Sequence, residues 1–111
     1  MNIQFKKGVL EMCVLLMLEQ RDSYGYDIAN ELSRTISISD GTVYPILRRL
    51  KQDGYVSSYL AESPGGAPRK YYAITQQGVE LATALKEEWQ TFCTQVNTFV
   101  EQGGKKQDVQ T

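Results

Sequence analysis

Apolar residues recur at helical spacing in four segments of this chain, and two further segments are rich in strand-forming residues. Residues 4–20 are apolar on nearly all sides, a pattern typical of a helix that is buried on several faces. Because one small domain rarely covers such a helix completely, we expect a partner chain to cover part of it. A second helix is predicted over residues 24–34 with Ser23 as its N-cap, and the stretch TISI after it favours a strand.

A third helix is predicted from Ser39, its N-cap, to about Asp53, and Gly54 is expected to end it. Its inward face is apolar and consists of Val43, Ile46, Leu47 and Leu50. Pro45 lies in the middle of this predicted helix, where a proline costs about 3 kcal/mol. Gly41 precedes it by four residues and could relieve the steric clash. We therefore expect the helix to continue through Pro45 with a slight bend.

The segments YVSSYLAE and RKYYAIT flank the sequence SPGGAP, which predicts a β-hairpin with a Gly-rich tip. A long fourth helix is predicted from Thr75 or Gln76 to the Gly103-Gly104 pair. Its apolar residues recur at alternating spacings of three and four, at Ala82, Leu85, Trp89, Phe92, Val96 and Phe99. This seam predicts a coiled-coil-like dimer interface or packing on the first helix of the same chain, and one interface could combine both.

Together these elements predict a mostly α fold with a small β-hairpin. Three helices followed by a hairpin is the order of a winged helix-turn-helix, in which the third helix enters the DNA major groove. We therefore expect a winged helix-turn-helix DNA-binding domain at residues 1–75, a C-terminal dimerisation helix at residues 76–102 and a flexible polar tail at residues 103–111.

Composition argues against several classes of function. The chain of 111 residues has no His, and neither a cysteine cluster nor a phosphate-binding glycine loop replaces it. We therefore expect no enzymatic activity, no metal and no cofactor. Cys13 and Cys93 are expected to be free thiols, with a redox role left open. The apolar run at residues 8–18 is too short to cross a membrane and has no cleavage site, so we expect a cytoplasmic protein.

The distribution of charge favours nucleic-acid binding more than the net charge of −1 suggests. Residues 39–75 carry five basic and three acidic side chains, whereas the segments on both sides are acidic. The outward face of the third helix contains Gly41, Pro45, Arg48 and Gln52, flanked by Thr42, Tyr44 and Arg49. Hydroxyls, an aromatic ring and arginines suit phosphates and base edges, although an ordinary solvated face could look similar. Basic residues beside glycines in the predicted wing favour the DNA-binding interpretation.

Three segments, SYGYDIANEL, ISDGTVYPILRRLKQDGYV and GGAPRKYYAITQQG, resemble the PadR-like family of bacterial transcriptional regulators. The resemblance covers about residues 8–80, and the single long last helix resembles the small subfamily. It implies a homodimeric repressor that binds double-stranded DNA at an inverted-repeat operator. The DNA contacts that it implies lie at Tyr24, Ser39, Gly41, Thr42, Tyr44, Arg48, Gly65, Gly66, Arg69 and Lys70. We add Pro45, which is expected at the exposed front of the third helix, and we expect Tyr71 and Tyr72 to be structural.

Trp89 lies near the middle of the seam, where a residue can meet its symmetry mate in a crossed or antiparallel dimer. The sequence is also similar to the multidrug-sensing branch of the family, in which two tryptophans sandwich planar cationic compounds. This similarity implies a ligand site formed by Trp89, Met12, Leu16, Leu85 and Cys93. Simple interface packing is an alternative for Trp89. A neutral aromatic or hydrophobic ligand suits the apolar surroundings as well as a cation, for which Glu88 would be the counter-charge.

The leading hypothesis is therefore a dimeric repressor that a planar aromatic or hydrophobic ligand releases from DNA. The alternative is a winged-helix module for protein interaction or small-molecule sequestration, without an operator. The two hypotheses differ in salt dependence, because phosphate contacts make affinity fall steeply as salt rises.

Overall fold

The computed structural model describes the backbone of residues 3–110 and the side chains of residues 7–39 and 41–103. Five helical segments and three strands follow one another along the chain. Their order is α1 (Ile3–Gln20), β1 (Ser23–Tyr24), α2 (Gly25–Thr35), a 3-10 turn (Asp40–Thr42), α3 (Val43–Gln52), β2 (Val56–Ala61), β3 (Arg69–Ile74) and α4 (Gln76–Gln110). The predicted mostly α fold, with a winged helix-turn-helix and a long last helix, is confirmed.

Helix α1 lies at the centre of the molecule and contacts α2, α3, β3 and α4. Its buried residues are Leu10, Met12, Val14, Leu15 and Leu18. Leu16 and Met17 are only half-buried. The nearly all-round apolar pattern of α1 is therefore satisfied mainly within the same chain, because several elements pack around this one helix.

The three strands form an antiparallel sheet in the order β1-β3-β2. The short strand β1 was not predicted, and it changes the start of α2. Ser23 pairs with Tyr72 instead of capping α2, so its prediction as an N-cap is wrong. Tyr24 occupies the N-cap position and makes no side-chain cap hydrogen bond. The TISI stretch forms no strand in the described backbone, so that prediction is also wrong.

Helix α3 continues through Pro45 as predicted, but it begins later than expected. A 3-10 turn precedes it, and Thr42 holds the N-cap position, so the prediction of Ser39 as the α3 N-cap is wrong. Ser39 stabilises the 3-10 turn instead, because its carbonyl accepts a hydrogen bond of 3.1 Å from the Thr42 N–H. Pro45 is thus in the first turn of α3, where backbone N–H groups lack intrahelical partners, so a missing N–H costs little.

Gly41 does not have the left-handed backbone conformation that favours glycine, and its role in relieving the clash with Pro45 stays a prediction. A Cβ atom on Gly41 would meet nothing within 4 Å outside its own backbone neighbourhood. The place of Pro45 in the first helical turn is by itself enough to accommodate it.

The end of α3 has the hydrogen bonds of a Schellman motif, with Gly54 in the left-handed conformation at φ = 83°. The Tyr55 N–H donates to the Leu50 carbonyl at 2.9 Å, and the Gly54 N–H donates to the Lys51 carbonyl at 3.1 Å. The prediction that Gly54 ends this helix is confirmed.

The start of α4 is fixed to the end of α3 by Thr75. Its hydroxyl accepts a hydrogen bond of 3.1 Å from the Gly78 N–H and donates one of 2.7 Å to the Gly54 carbonyl. Gly78 lies so close to Tyr55 that a Cβ atom at position 78 would overlap with the Tyr55 carbonyl oxygen. This close contact sets the direction in which α4 leaves the winged helix-turn-helix.

Helix α4 runs through the Gly103-Gly104 pair to Gln110, so the predicted end at this pair is wrong. A glycine in a helix costs only about 1 kcal/mol relative to Ala, which a long helix can tolerate. Thr111, the last residue of the predicted tail, lies outside the described residues. Within the described part of the chain, no helix is long and apolar enough to span a membrane.

Candidate functional site

The outer face of α3 has the composition that the sequence predicted. The inward residues Val43, Ile46, Leu47 and Leu50 are at most 2% exposed. On the opposite side, Gly41, Tyr44, Pro45 and Arg48 are exposed, and Thr42 is half-buried. Ser39 is also exposed, and its hydroxyl lies 3.1 Å from that of Thr42. The structure therefore brings together the positions from Ser39 to Arg48 that were predicted to contact DNA, in the 3-10 turn and the first half of α3.

One flank of α3 rests on the start of α2 and on the sheet. A Cβ atom on Gly25 would lie 3.2 Å from Cε2 of Tyr72 and 3.7 Å from Cε1 of Tyr44. The absence of a side chain at Gly25 thus leaves room for both rings over the same point of the backbone. Tyr44 is 41% exposed, so this packing fixes its ring while leaving an edge accessible.

The other flank of α3 is tied to α1 by an ion pair. Arg49 Nη2 lies 3.5 Å from Glu11 Oε1, with side-chain exposures of 49% and 16%. Arg48, the next residue, is exposed and has no ion-pair partner among the side chains that the structure describes. The two adjacent arginines of α3 therefore have different surroundings.

The wing is the β2–β3 hairpin, and its tip is a hydrogen-bonded turn. The Gly66 N–H donates to the Ser63 carbonyl at 2.9 Å, and the Ser63 hydroxyl donates to the Ala67 carbonyl at 2.7 Å. Gly66 has φ = 90°, which a side chain would disfavour. Gly65 and Gly66 are both exposed, so their backbone is accessible to a large ligand.

Arg69 and Lys70 lie side by side in β3 but point to opposite faces of the sheet, as strand alternation requires. The Arg69 guanidinium lies 4.9 Å from the centre of the Tyr24 ring. The Lys70 ammonium lies 5.7 Å from the centre of the Tyr72 ring, on the face next to Tyr44. The two predicted wing cations are therefore both exposed but are not neighbours on one surface.

A cluster of tyrosines, which the sequence did not reveal as a unit, covers the face of the sheet that carries Arg69. Tyr24, Tyr71 and Tyr59 are paired across the three strands. Their ring centres are 6.1 and 5.8 Å apart, and Tyr26 lies 6.1 Å from Tyr24. Tyr59 and Tyr71 in the two predicted strands were the available signal, but the cluster could not be recognised because β1 was not predicted. On the opposite face, Tyr72 is only 8% exposed, which agrees with a structural role.

Tyr59 has a specific polar partner in this cluster. Its hydroxyl donates a hydrogen bond of 2.7 Å to Asp22 Oδ2. This hydrogen bond, together with the negative charge of Asp22, raises the pKa of Tyr59 above its ordinary value because both favour the protonated phenol.

A groove of about 740 Å³ lies between α1 and α4. Of the five residues predicted to form a ligand site, three line this groove, namely Trp89, Met12 and Leu85. Leu16 and Cys93 are half-buried and are not among its lining residues. Burial raises the pKa of the nearby Cys13 thiol in α1, which keeps it protonated at neutral pH.

The groove contains more polar groups than the sequence suggested. Glu87, Glu88, Thr91 and Gln95 contribute to its lining from α4, together with Phe92. Glu87, Thr91 and Gln95 recur every four residues, so they share one row of α4, and Glu88 and Phe92 are spaced in the same way. This pattern could have been recognised once α1 was known to face this side of α4.

The apolar seam of α4 becomes more exposed with distance from the domain. Ala82 is fully buried in the core of its own chain, which corrects its prediction as a dimer-interface residue. Leu85 and Trp89 are half-buried. Further along the helix the exposed fractions are 45% for Phe92, 39% for Val96, 74% for Phe99 and 65% for Val100. Val100 was not predicted, because it lies beside the seam.

Comparison with known proteins agrees with this arrangement. The family model described as "Transcriptional regulator PadR-like family" matches residues 14–84. The crystal structure of a PadR-like transcriptional regulator from Bacillus cereus is 35% identical, with a TM-score of 0.79, and the match covers 87% of this chain and 96% of that one. A PadR-like transcription factor from Bacteroides fragilis is 37% identical, with a TM-score of 0.72 and coverage of 86% and 94%. A Streptococcus transcriptional regulator is 31% identical, with a TM-score of 0.81 and coverage of 88% and 98%.

The family match and the structural similarity extend over the winged helix-turn-helix and into the long last helix. Regulators of this family bind DNA, typically as dimers. The chain therefore belongs to the PadR-like family of transcriptional regulators, and it is a DNA-binding regulator and not an enzyme.

Proposed function

We propose that the protein is a homodimeric repressor that binds an inverted-repeat operator and is released by a planar aromatic or hydrophobic ligand. The observation that carries this proposal is the exposed apolar seam of α4, which begins beside the groove that contains Trp89. Dimerisation and ligand binding would thus use neighbouring surfaces.

The proposed DNA contacts come from the exposed face of α3 and from the wing. Gly41 in the 3-10 turn and Tyr44, Pro45 and Arg48 in α3 are all exposed and together offer one surface. Lys70 lies on the same side of the sheet as Tyr44, so it is the wing cation best placed to extend this surface. Arg69 and Tyr24 would contact the DNA backbone from the opposite face of the wing.

The proposed dimer forms through the exposed apolar seam of α4, which contacts the same seam of a second copy. A two-fold axis brings the same patch of each copy into contact, so one apolar seam is enough for both partners. Phe99 and Val100 are 74% and 65% exposed, and burying them would remove apolar surface from water. Such a dimer presents two α3 helices, which read two half-sites about one turn of DNA apart. We place this activity in the cytoplasm.

The operator proposal is tested by selecting bound fragments from the genomic DNA of the source organism and by transcription in vitro from the selected promoter. We expect pseudo-palindromic sites with half-sites about 10 base pairs apart, and less transcript as protein is added. Asymmetric sites that bind one protomer, or more transcript in the presence of the protein, would contradict the proposed repressor.

The proposed ligand is a flat compound with aromatic rings. The groove offers the Trp89 and Phe92 rings for stacking, and Glu87 and Glu88 would favour a positively charged compound over a negatively charged one. Entry of such a compound between two protomers would change the distance between their α3 helices and weaken DNA binding.

Fluorescence tests the ligand proposal, because Trp89 is the only tryptophan of the sequence. A panel of planar dyes, cationic and neutral, should quench this fluorescence and displace the protein from DNA over the same concentration range. Trp89→Ala should still bind DNA but should no longer respond to the dyes. Displacement that is equally strong for Trp89→Ala would show that the dyes act elsewhere, for instance by binding DNA.

A further inference from the structure

The ion pair between α1 and α3 lies at the edge of the proposed DNA-binding surface. Glu11 Oε1, at 3.5 Å from Arg49 Nη2, is buried and makes no hydrogen bond among the described groups. The Glu11 side chain as a whole is 16% exposed, whereas that of Arg49 is 49% exposed. The pair therefore joins a mostly buried carboxylate to a guanidinium group that extends into solvent.

The surroundings of the carboxylate favour keeping the pair together. If the guanidinium moved away to contact a phosphate, Glu11 Oε1 would stay buried and would lose its only described partner. A buried charge without a partner is strongly unfavourable, because it has lost its hydration and gains nothing in exchange. The phosphate contact would have to offset this cost.

Arg48 provides the comparison within the same helix. It is exposed and has no ion-pair partner among the described side chains, so it can contact a phosphate without leaving a buried anion behind. Arg49 lies about 100° further around α3, on the flank that faces α1. The two adjacent arginines of α3 thus differ in their surroundings. Arg48 is available to a phosphate, whereas Arg49 is paired with Glu11.

We propose that Glu11 is a positioning residue for DNA binding, which holds the Arg49 guanidinium against α1 and keeps its charge away from the DNA phosphates. Glu11 thereby limits the number of cations that α3 contributes to DNA binding. This lowers non-specific affinity, since contacts to phosphates do not depend on base sequence. The inference rests on DNA binding through α3 and is independent of the repressor, operator and ligand proposals.

The salt dependence of binding to a duplex of random sequence tests this proposal. Fluorescence anisotropy gives the affinity between about 50 and about 300 mM KCl, and the slope of log affinity against log salt counts the phosphates contacted, at about 0.9 per contact in B-DNA. Glu11→Gln removes the charge but keeps the shape. We expect its slope to be steeper than that of the wild type by about 0.9 for each protomer that gains a phosphate contact.

Arg49→Gln should have the slope of the wild type, because the retained guanidinium does not contact DNA. The double variant Glu11→Gln/Arg49→Gln should also return to the wild-type slope, since the gain requires the released arginine. Glu19→Gln removes the same charge from an exposed position of α1 and should leave the slope unchanged. These comparisons separate a local release of Arg49 from a general change in net charge.

Three results would overturn the proposal. The first is a Glu11→Gln slope equal to that of the wild type, the second a steeper slope that persists in the double variant, and the third a reduced slope for Arg49→Gln alone.

Thermal unfolding checks that each variant is folded. If Glu11→Gln does not fold, Glu11→Asp keeps the charge but shortens its reach and should show a change in the same direction, whereas a wild-type slope for this folded variant would again overturn the proposal. A wild type that does not bind the duplex at low salt refutes the inference together with DNA binding itself.

Discussion

Replacing Phe99 with Ala removes the largest exposed apolar side chain from the seam of α4 and should weaken the proposed dimer. Phe99 is 74% exposed in the isolated chain, so most of its surface is available for burial against a partner. Fully burying a Phe side chain is worth about 1.5–3 kcal/mol, which gives about 1–2 kcal/mol for this fraction. A symmetric dimer contains the residue twice, so the expected loss is about 2–4 kcal/mol, or a roughly 30- to 1000-fold weaker dimer.

Sedimentation equilibrium measures the dimer dissociation constant directly, and circular dichroism checks that the helix content is retained. Asn97→Ala is the matched control, because Asn97 is an exposed residue of the same turn that lies away from the seam. We expect the control to dimerise like the wild type. Equal dissociation constants for Phe99→Ala and wild type would refute the assignment of this part of α4 to the dimer interface.

Three further predictions concern folding, DNA contact and ionisation. Gly78→Ala should lower the free energy of unfolding in urea by about 2 kcal/mol or more, because the new Cβ atom overlaps with the Tyr55 carbonyl and either α4 or the loop after α3 has to move. Arg48→Gln should reduce the salt slope of DNA binding by about 0.9 for each protomer that loses a phosphate contact, with thermal unfolding unchanged. Asp22→Asn should lower the pKa of Tyr59 towards its ordinary value, as measured by absorbance titration of the phenols, because the hydrogen bond and the charge that favour its protonated form are weakened. Since the folded-state pKa of Tyr59 is raised, the stability that this bond contributes is present at neutral pH and is lost only as the pH rises through that raised value.

Each of these predictions has a control within the chain. Gly103→Ala makes the same substitution in α4 where a Cβ atom meets nothing within 4 Å, and it should stabilise the helix by up to about 1 kcal/mol. Lys86→Gln removes an exposed cation from α4 and should not change the salt slope. Tyr59→Phe should remove the high-pH transition assigned to Tyr59. Destabilisation of equal size by both glycine variants, or an unchanged titration in Asp22→Asn, would contradict the corresponding explanation.

The start of α3 shows how far local sequence reasoning extends. The apolar spacing placed the helix and its inward face correctly, because burial of Val43, Ile46, Leu47 and Leu50 repeats with the helical period. It did not find the 3-10 turn, since both kinds of helix have similar local preferences and differ only in the hydrogen bonds they form. Pro45 looked like a defect only because the helix was predicted to begin several residues too early.

The wing shows a different limit. Strand alternation was sufficient to expect at least one of Tyr71 and Tyr72 in the core, and Tyr72 is buried. The sequence could not reveal that Ser23 and Tyr24 form a third strand, because two residues carry too little pattern and their partners lie about fifty residues away. The tyrosine cluster depends on this strand, so it was missed as well.

By itself, therefore, the sequence determined the four α-helices, the wing hairpin, the buried face of α3, the end of that helix at Gly54 and the family resemblance. These features depend on residues within one or two helical turns or on a continuous motif. Only the tertiary structure decided which groups from distant segments meet, such as Glu11 with Arg49, Tyr59 with Asp22, and α1 with α4 around Trp89. The physical reason is that such contacts depend on how whole elements pack, and no local preference of the chain encodes that geometry.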